Sequence, residues 1–204
     1  MKKVASSLLV LAVFGLAVLT ASAQTLSPVD RESAVKYLEA TRKGVLDATA
    51  GLTEAQWNFK PAPDRWSVAE VGEHIAAAED FLFGLVTGQV MKAPAPAADR
   101  NAKEIDEMVL AVIPDRTNKA QAPEPLKPTN RYGSPDGSFK HFQESRDRTI
   151  QFLKATPDLR AHAMDSPLGK QLDAYEWLLF IGAHSKRHTA QINEVMADPN
   201  FPKK

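Results

Sequence analysis

The chain has 204 residues, with 25 Asp and Glu against 25 Lys and Arg, and it contains no cysteine. The charges form no basic stripe with interleaved aromatic residues, so we do not expect nucleic acid as a partner. The missing thiols exclude disulfides, thiolate metal ligands, a cysteine nucleophile and a lipid-modified cysteine. A chain of this size fits one domain with a substantial core.

The first 23 residues have the pattern of a secretory signal peptide. Met1-Lys2-Lys3 is positively charged, residues 4–19 are almost wholly apolar, and small residues up to Ala23 form an A-x-A cleavage site. We predict export to the periplasm or the medium after cleavage near Ala23; a retained N-terminal anchor is the alternative. Residues 24–204 contain no further apolar run long enough to cross a bilayer, so we expect one soluble domain that does not contact the membrane.

Apolar residues recur at helical spacing in four long segments of the remaining chain. The first two segments begin with sequences typical of helix starts, Ser27 before Pro28 and the capping box of Ser67 and Glu70. No segment shows sustained alternation of polar and apolar residues, so no sheet is predicted. In chain order, the four predicted helices span residues 27–51, 67–90, 138–156 and 171–196.

Residues 91–137 form a long insert between the second and third predicted helices. The part from residue 114 to 137 holds five prolines, whereas residues 99–113 carry apolar side chains at helical spacing and predict one short helix. Connections this long without regular structure are usually lids, binding loops or mobile segments. The fold class that follows is all-α, an antiparallel four-helix bundle with a long crossover between helices two and three.

Three of the five histidines lie on helix faces that the spacing predicts to be buried. His184 and His188 are four residues apart and so lie one above the other on the last helix. His74 continues the apolar face of the second helix, which points to the same bundle interior. His141 and His162 are expected on a charged helix and in a polar loop.

A buried imidazole needs a polar partner or a metal ion, because leaving it unpaired is costly. Three neutral imidazoles with one open position are the ligand set of a catalytic zinc-type site. His74, His184 and His188 are therefore candidate ligands of a divalent ion, with Zn²⁺ or Ni²⁺ suiting imidazole nitrogen. The alternative is that each is a histidine satisfied by neighbouring polar groups or by solvent.

Three side chains near the candidate ligands have open roles. Glu70, one turn before the histidine of the second helix, either orients that histidine or only completes the capping box. Gln191, almost one turn after the last histidine, either bonds a ligand nitrogen or a bound water, or satisfies other core groups. Arg187 lies about 100° from the histidine face, so we expect it to pair with acidic residues on a neighbouring helix.

Two longer motifs surround the candidate ligands. In the first, spanning residues 59–75, Trp66 and Ser67 precede the second predicted helix and His74 follows within it. In the second, His184 begins an H-x-x-x-H-x-x-Q pattern that ends at Gln191. Together they resemble the two signatures of the DinB-like, or damage-inducible, superfamily, over residues 28–197.

The resemblance implies a four-helix bundle with one divalent metal ion on His74, His184 and His188, often in a homodimer. Relatives in that superfamily include S-transferases and isomerases that use glutathione, mycothiol or bacillithiol. Those thiols are cytosolic, so the predicted export argues against thiol transfer here. The insert at residues 91–137 is also longer and richer in proline than the core of the superfamily needs.

Two functions agree with such a site. The first is a metal-dependent enzyme, transferase-like or hydrolase-like, whose substrate the sequence does not identify. A zincin-type peptidase is not expected, because Ser185 stands where H-E-x-x-H has its glutamate, and no serine nucleophile elbow is present. The alternative is a non-enzymatic module, in which the metal braces the bundle and the insert binds a ligand or the bundle serves as a scaffold.

Overall fold

The computed structural model describes residues 25–203, so the predicted signal peptide lies outside the described residues. The described chain contains two single 3-10 turns, Val90–Lys92 and Glu124–Leu126, besides its helices and strands. None of its helices combines the length and the apolar character that a membrane span requires. The helices are α1 (Pro28–Thr49), α2 (Glu54–Asn58), α3 (Val68–Gly88), α4 (Ala102–Val112), α5 (Pro135–Ala155) and α6 (Ala174–Met196).

The four long helices form the predicted bundle. Helix α1 packs against α5 and α6, and α3 packs against the same two helices, so the neighbours around the bundle are α1, α6, α3 and α5. The all-α four-helix bundle with a crossover between its second and third long helices is therefore confirmed. Helix α4, inside the crossover, lies against α6 on the outside of the bundle.

Two glycines allow the helices to approach each other closely. A Cβ atom at Gly182 of α6 would lie 2.9 Å from the Tyr37 ring of α1. A Cβ atom at Gly72 of α3 would lie 2.5 Å from the Phe139 ring of α5. The missing side chains leave room for these two rings, which pack across the α1–α6 and α3–α5 contacts.

Three predictions about the chain were wrong in detail. The structure has a small antiparallel sheet, β1 (Ala163–Asp165) with β2 (Gln171–Asp173), where no sheet was predicted. Strands of three residues are too short for an alternating pattern to show, and the turn depends on Gly169 with its φ of 68°. The last helix consequently begins at Ala174, after an Asp173 capping box, and the five-residue helix α2 occupies part of the segment predicted as a loop.

A buried cluster of charged side chains connects the start of the crossover to the start of α6. Arg100, just before α4, donates hydrogen bonds to Asp173 and Glu176, while Arg160 bonds Asp173 and Asp106 of α4. Two guanidinium groups thus face three carboxylates. Burial, together with the charge of Asp173, raises the pKa of Glu176 to about 8.

Candidate metal centre

The structure brings His74 of α3 together with His184 and His188 of α6. The Nε2 atom of His74 lies 3.3 Å from Nε2 of His184 and 3.1 Å from Nε2 of His188. The Nε2 atoms of His184 and His188 are 3.1 Å apart. Among residues 25–203, these three histidines form the one group of three or more His, Asp or Glu side chains whose ligand atoms lie close enough together to hold a metal ion. His74 and His188 are buried, and His184 is half-buried.

In two of these rings, the hydrogen bond of Nδ1 determines which nitrogen carries the proton. The Nδ1 atom of His74 is 2.9 Å from the carbonyl oxygen of Leu126, which can only accept, so Nδ1 donates and Nε2 carries a bare lone pair. The Nδ1 atom of His188 is 2.8 Å from Oε1 of Gln191, and Arg116 also donates to that oxygen over 3.3 Å. The Arg116 contact supports the oxygen assignment of Gln191, so His188 is also bare at Nε2.

This arrangement fits a divalent ion. Two unprotonated Nε2 atoms 3.1 Å apart repel each other, and a cation bound to both removes the repulsion. Nitrogens at about 2.1 Å from one ion are roughly 3.0 Å apart on an octahedral face and roughly 3.4 Å apart on a tetrahedral face. The observed separations of 3.1 to 3.3 Å lie between these values.

The electrostatic surroundings keep the imidazoles neutral. Burial lowers the pKa of all three rings, to about 3 for His188, and the proximity of the rings to one another adds to the effect for His184 and His188. Neutral imidazole is the form that binds a metal, so protons do not compete for these nitrogens near pH 7.

The structure distinguishes between the alternative roles of Glu70 and of Gln191. Gln191 bonds the candidate ligand His188, as one of its two interpretations required. Glu70 instead completes the capping box: Oε2 accepts from the backbone N–H of Ser67 over 2.7 Å, and Oε1 pairs with Lys60 over 3.0 Å. Glu70 therefore secures the start of α3.

The predicted acidic partners of Arg187 were wrong. Its guanidinium donates to backbone carbonyls of the residues that end α4 or follow it, Ile113, Asp115 and Asn118. The last carbonyls of a helix lack partners within the helix, and a guanidinium can satisfy several at once. Arg116 takes the acidic partner nearby, Glu194, with two bonds of 2.6 and 2.7 Å.

The remaining two histidines stand apart from the centre. His141 pairs with Asp80 and stacks on the Tyr132 ring, with ring centroids 4.5 Å apart. His162 contacts the carbonyl oxygen of Ala93. Neither ring contributes to the group of three.

A buried polar network that the sequence did not indicate lies next to the centre. Arg146 of α5 is fully buried and makes two 2.8 Å bonds to the carboxylate of Glu79 on α3. It also donates to Ser185, the neighbour of His184, over 2.8 Å, and to the carbonyl of Leu38 on α1 over 2.7 Å. One guanidinium therefore links the four long helices beside the histidines.

Glu73, the residue before His74, was not among the predicted site residues either. Its carboxylate is buried, yet it accepts backbone N–H bonds from Thr129, Asn130 and Arg131 in the crossover. Burial works against ionisation, but these bonds keep the pKa of Glu73 below its usual value. An acidic residue inside an alanine-rich, buried helical stretch was the signal available in the sequence.

Comparison with known proteins places these residues in a family context. The sequence profile of the DinB superfamily matches residues 37–192, a range that includes all three histidines. An uncharacterized Bacillus subtilis (strain 168) protein, YuaE, is 29% identical over 146 residues, covering 71% of this chain and 86% of YuaE.

A solved structure has a similar fold. YfiT from Bacillus subtilis, described as a probable metal-dependent hydrolase with an unusual four-helix bundle topology, superposes with a TM-score of 0.54 and 17% identity. The superposition covers 88% of this chain and 93% of YfiT. At that identity, the similarity concerns the fold.

Proposed function

Because the chain belongs to the DinB superfamily, we propose that His74, His184 and His188 bind one divalent metal ion and that the protein is a metal-dependent enzyme. The observation that carries the proposal is the meeting of three imidazole Nε2 atoms within 3.3 Å of one another, two of them unprotonated, an arrangement that a cation stabilises. The description of YfiT supports a hydrolase-type reaction among the two classes considered.

The count of ligands favours catalysis over bracing. Structural zinc sites are closed by four protein ligands, whereas catalytic sites keep one position open. The group found among the described residues has three members, one fewer than a closed structural site requires. An ion held there supplies Lewis-acid polarisation of a substrate oxygen.

The chain's own side chains hold the ligands in place for that chemistry. The Leu126 carbonyl and the Gln191 amide keep the protons of His74 and His188 on Nδ1, which leaves both Nε2 atoms free. Such partners of ligand histidines fix the ring orientation and are costly to remove. Ser185 cannot replace the missing zincin glutamate, because its hydroxyl is buried and accepts from Arg146.

Metal content tests the proposal directly. We expect about one equivalent of a divalent ion per chain in wild type after dialysis against Zn²⁺, Ni²⁺, Co²⁺ or Mn²⁺, measured by plasma mass spectrometry. His184→Ala removes one ligand and should abolish the signal, whereas His162→Ala, whose ring lies outside the centre, should bind like wild type. A wild-type protein that retains none of the four ions refutes the proposal.

A panel of ester, amide and phosphate substrates separates an enzyme from a binding module. Turnover that disappears with a chelator and in His184→Ala identifies the enzyme. A loaded protein that turns over none of these substrates, and whose X-ray absorption spectrum shows a fourth protein ligand, would favour the module.

The N-terminal sequence supports the proposal that the enzyme works outside the cytoplasm. Its charged start, apolar stretch and small residues before Gln24 have the features of a cleaved signal. Expression of the full chain in a bacterium, followed by N-terminal sequencing of the extracytoplasmic fraction, should give a chain that begins at Gln24. Recovery of the uncleaved chain in the cytoplasm would contradict this.

A further inference from the structure

One part of the crossover, residues 124–131, contacts α3 beside the candidate metal centre; we call it the anchor segment. It begins with the 3-10 turn Glu124–Leu126 and is otherwise mostly exposed. Leu126 is its buried side chain and packs against Ala77 and Ala78 of α3. One buried leucine contributes only about 2 kcal/mol, so apolar packing alone does not fix the position of this segment.

Glu73 supplies the missing attachment. Its Oε1 accepts the backbone N–H of Thr129 over 2.7 Å and of Arg131 over 3.2 Å, and its Oε2 accepts that of Asn130 over 2.8 Å. Asn130 has a positive φ of 60°, a left-handed conformation that lets successive N–H groups converge on one anion. The anion in this concavity is the side chain of the residue before His74.

Arg131 extends this attachment to the other end of the anchor segment. Its Nε atom lies 3.2 Å from Oε1 of Glu73. Its remaining nitrogens donate to the carbonyls of Pro125 over 3.0 Å and Lys127 over 2.6 Å, the two residues that flank Leu126. The carboxylate therefore determines, through one guanidinium, where the Leu126 peptide lies.

The Leu126 carbonyl in turn accepts from Nδ1 of His74 over 2.9 Å. Adjacent residues on a helix point about 100° apart, so Glu73 can face the anchor segment while His74 faces the centre. We propose that Glu73 is a positioning residue for the metal site: through Arg131 and the anchor segment it places the carbonyl that directs Nε2 of His74 toward the other two histidines. The proposal rests on the metal binding proposed above.

The proposal implies that the anchor segment and the metal stabilise each other. A partner that holds a ligand ring in its binding orientation raises metal affinity, and its loss typically costs about 10- to 100-fold. By linkage, a bound ion must strengthen the attachment of the segment by the same factor. A segment that served only to cover the bundle would show no such coupling.

The test compares Co²⁺ affinity, measured by competition with a chelator, in wild type, Glu73→Ala and Arg131→Met. We expect both variants to bind Co²⁺ about 10- to 100-fold more weakly and to show an altered visible Co²⁺ spectrum, because His74 is no longer held. Glu70→Gln is the matched control: it lies one turn earlier on α3 and has no bond to the anchor segment, so it should bind within twofold of wild type.

A second readout needs no metal. The imidazole nitrogen resonances of metal-free wild type should show His74 protonated at Nδ1 with slow exchange, and Glu73→Ala should lose that protected proton. Hydrogen exchange at the amides of residues 129–131 reports whether the segment is released. Wild type that binds neither Co²⁺ nor Zn²⁺, Ni²⁺ or Mn²⁺ refutes the proposed function, whereas the protected His74 proton still reports on the positioning geometry.

Two outcomes would overturn the inference. In the first, the amides of residues 129–131 lose protection in Glu73→Ala while Co²⁺ affinity and spectrum stay as in wild type. In the second, the control Glu70→Gln loses as much affinity as Glu73→Ala, which would mean that any damage to α3 weakens the site. If Glu73→Ala does not fold, Arg131→Met decides by the same two criteria.

Discussion

The buried pair of Arg146 and Glu79 offers the sharpest test of what holds the bundle around the centre. In Arg146→Met, the flexible thioether side chain fills most of the space, but the Glu79 carboxylate, 2% exposed, loses the guanidinium that binds both of its oxygens. Removing one partner of a buried ion pair costs about 3–5 kcal/mol. The lost bonds to the Leu38 carbonyl and the Ser185 hydroxyl act in the same direction. We expect a loss of about 3–5 kcal/mol in the free energy of unfolding.

A double variant shows whether the uncompensated charge is the cause. Arg146→Met combined with Glu79→Gln leaves no buried carboxylate at this position, while the oxygen of the new side-chain amide can still accept from Thr149, as Glu79 does over 2.9 Å. The double variant should be more stable than Arg146→Met alone by about 1–3 kcal/mol. Urea unfolding followed by circular dichroism at pH 7 measures both free energies. A loss below about 1 kcal/mol for Arg146→Met, or a double variant that is less stable than Arg146→Met, would refute the reasoning.

Two further predictions concern packing and pH. Gly72→Ala should destabilise the fold by about 1–3 kcal/mol, because the new methyl group would lie 2.5 Å from the Phe139 ring. The control Gly84→Ala, where the new methyl group would meet no atom within 4 Å, should stabilise the fold by about 0.5–1 kcal/mol. Thermal unfolding of both variants measures the two effects. Equal effects of the two substitutions would contradict the packing argument. The folded-state pKa of Glu176 is raised from 4.5 to about 8. Its stabilising contribution to the free energy of unfolding is therefore complete below pH 4.5 and is lost as the pH rises toward 8. Glu176→Gln should therefore flatten the decline of unfolding free energy between pH 5 and 8, by up to about 1.4 kcal/mol per pH unit; parallel curves for the two proteins would disprove it.

The fold could be predicted largely from local signals. Ser27 before Pro28 and the Ser67 capping box mark helix starts that the structure confirms, and helical spacing outlines the long helices. The hairpin escaped prediction because it depends on a single turn around Gly169, not on a pattern along the strands. Helix α2 escaped because five residues show no periodicity.

The candidate site was predictable where its residues follow the helical repeat, and not where it depends on tertiary contacts. His184 and His188 share a face because they are four residues apart, and both motifs resemble signatures of the superfamily. Glu73 bonds residues 56 to 58 positions later, in an irregular segment whose course no periodicity predicts. The prediction for Arg187 was wrong for the same reason, because its partners are main-chain carbonyls, which every sequence contains.

The distance along the chain between the candidate ligands has a consequence for stability. His74 and His184 are 110 positions apart, in a protein without cysteine. An ion bound to both acts as a reversible cross-link that exists only in the folded chain, whereas a disulfide persists after unfolding. Its stabilising effect depends on the free ion, reaching about 2.7 kcal/mol when the ion is at 100 times its dissociation constant. The thermal stability of this protein should therefore follow the availability of metal in its surroundings.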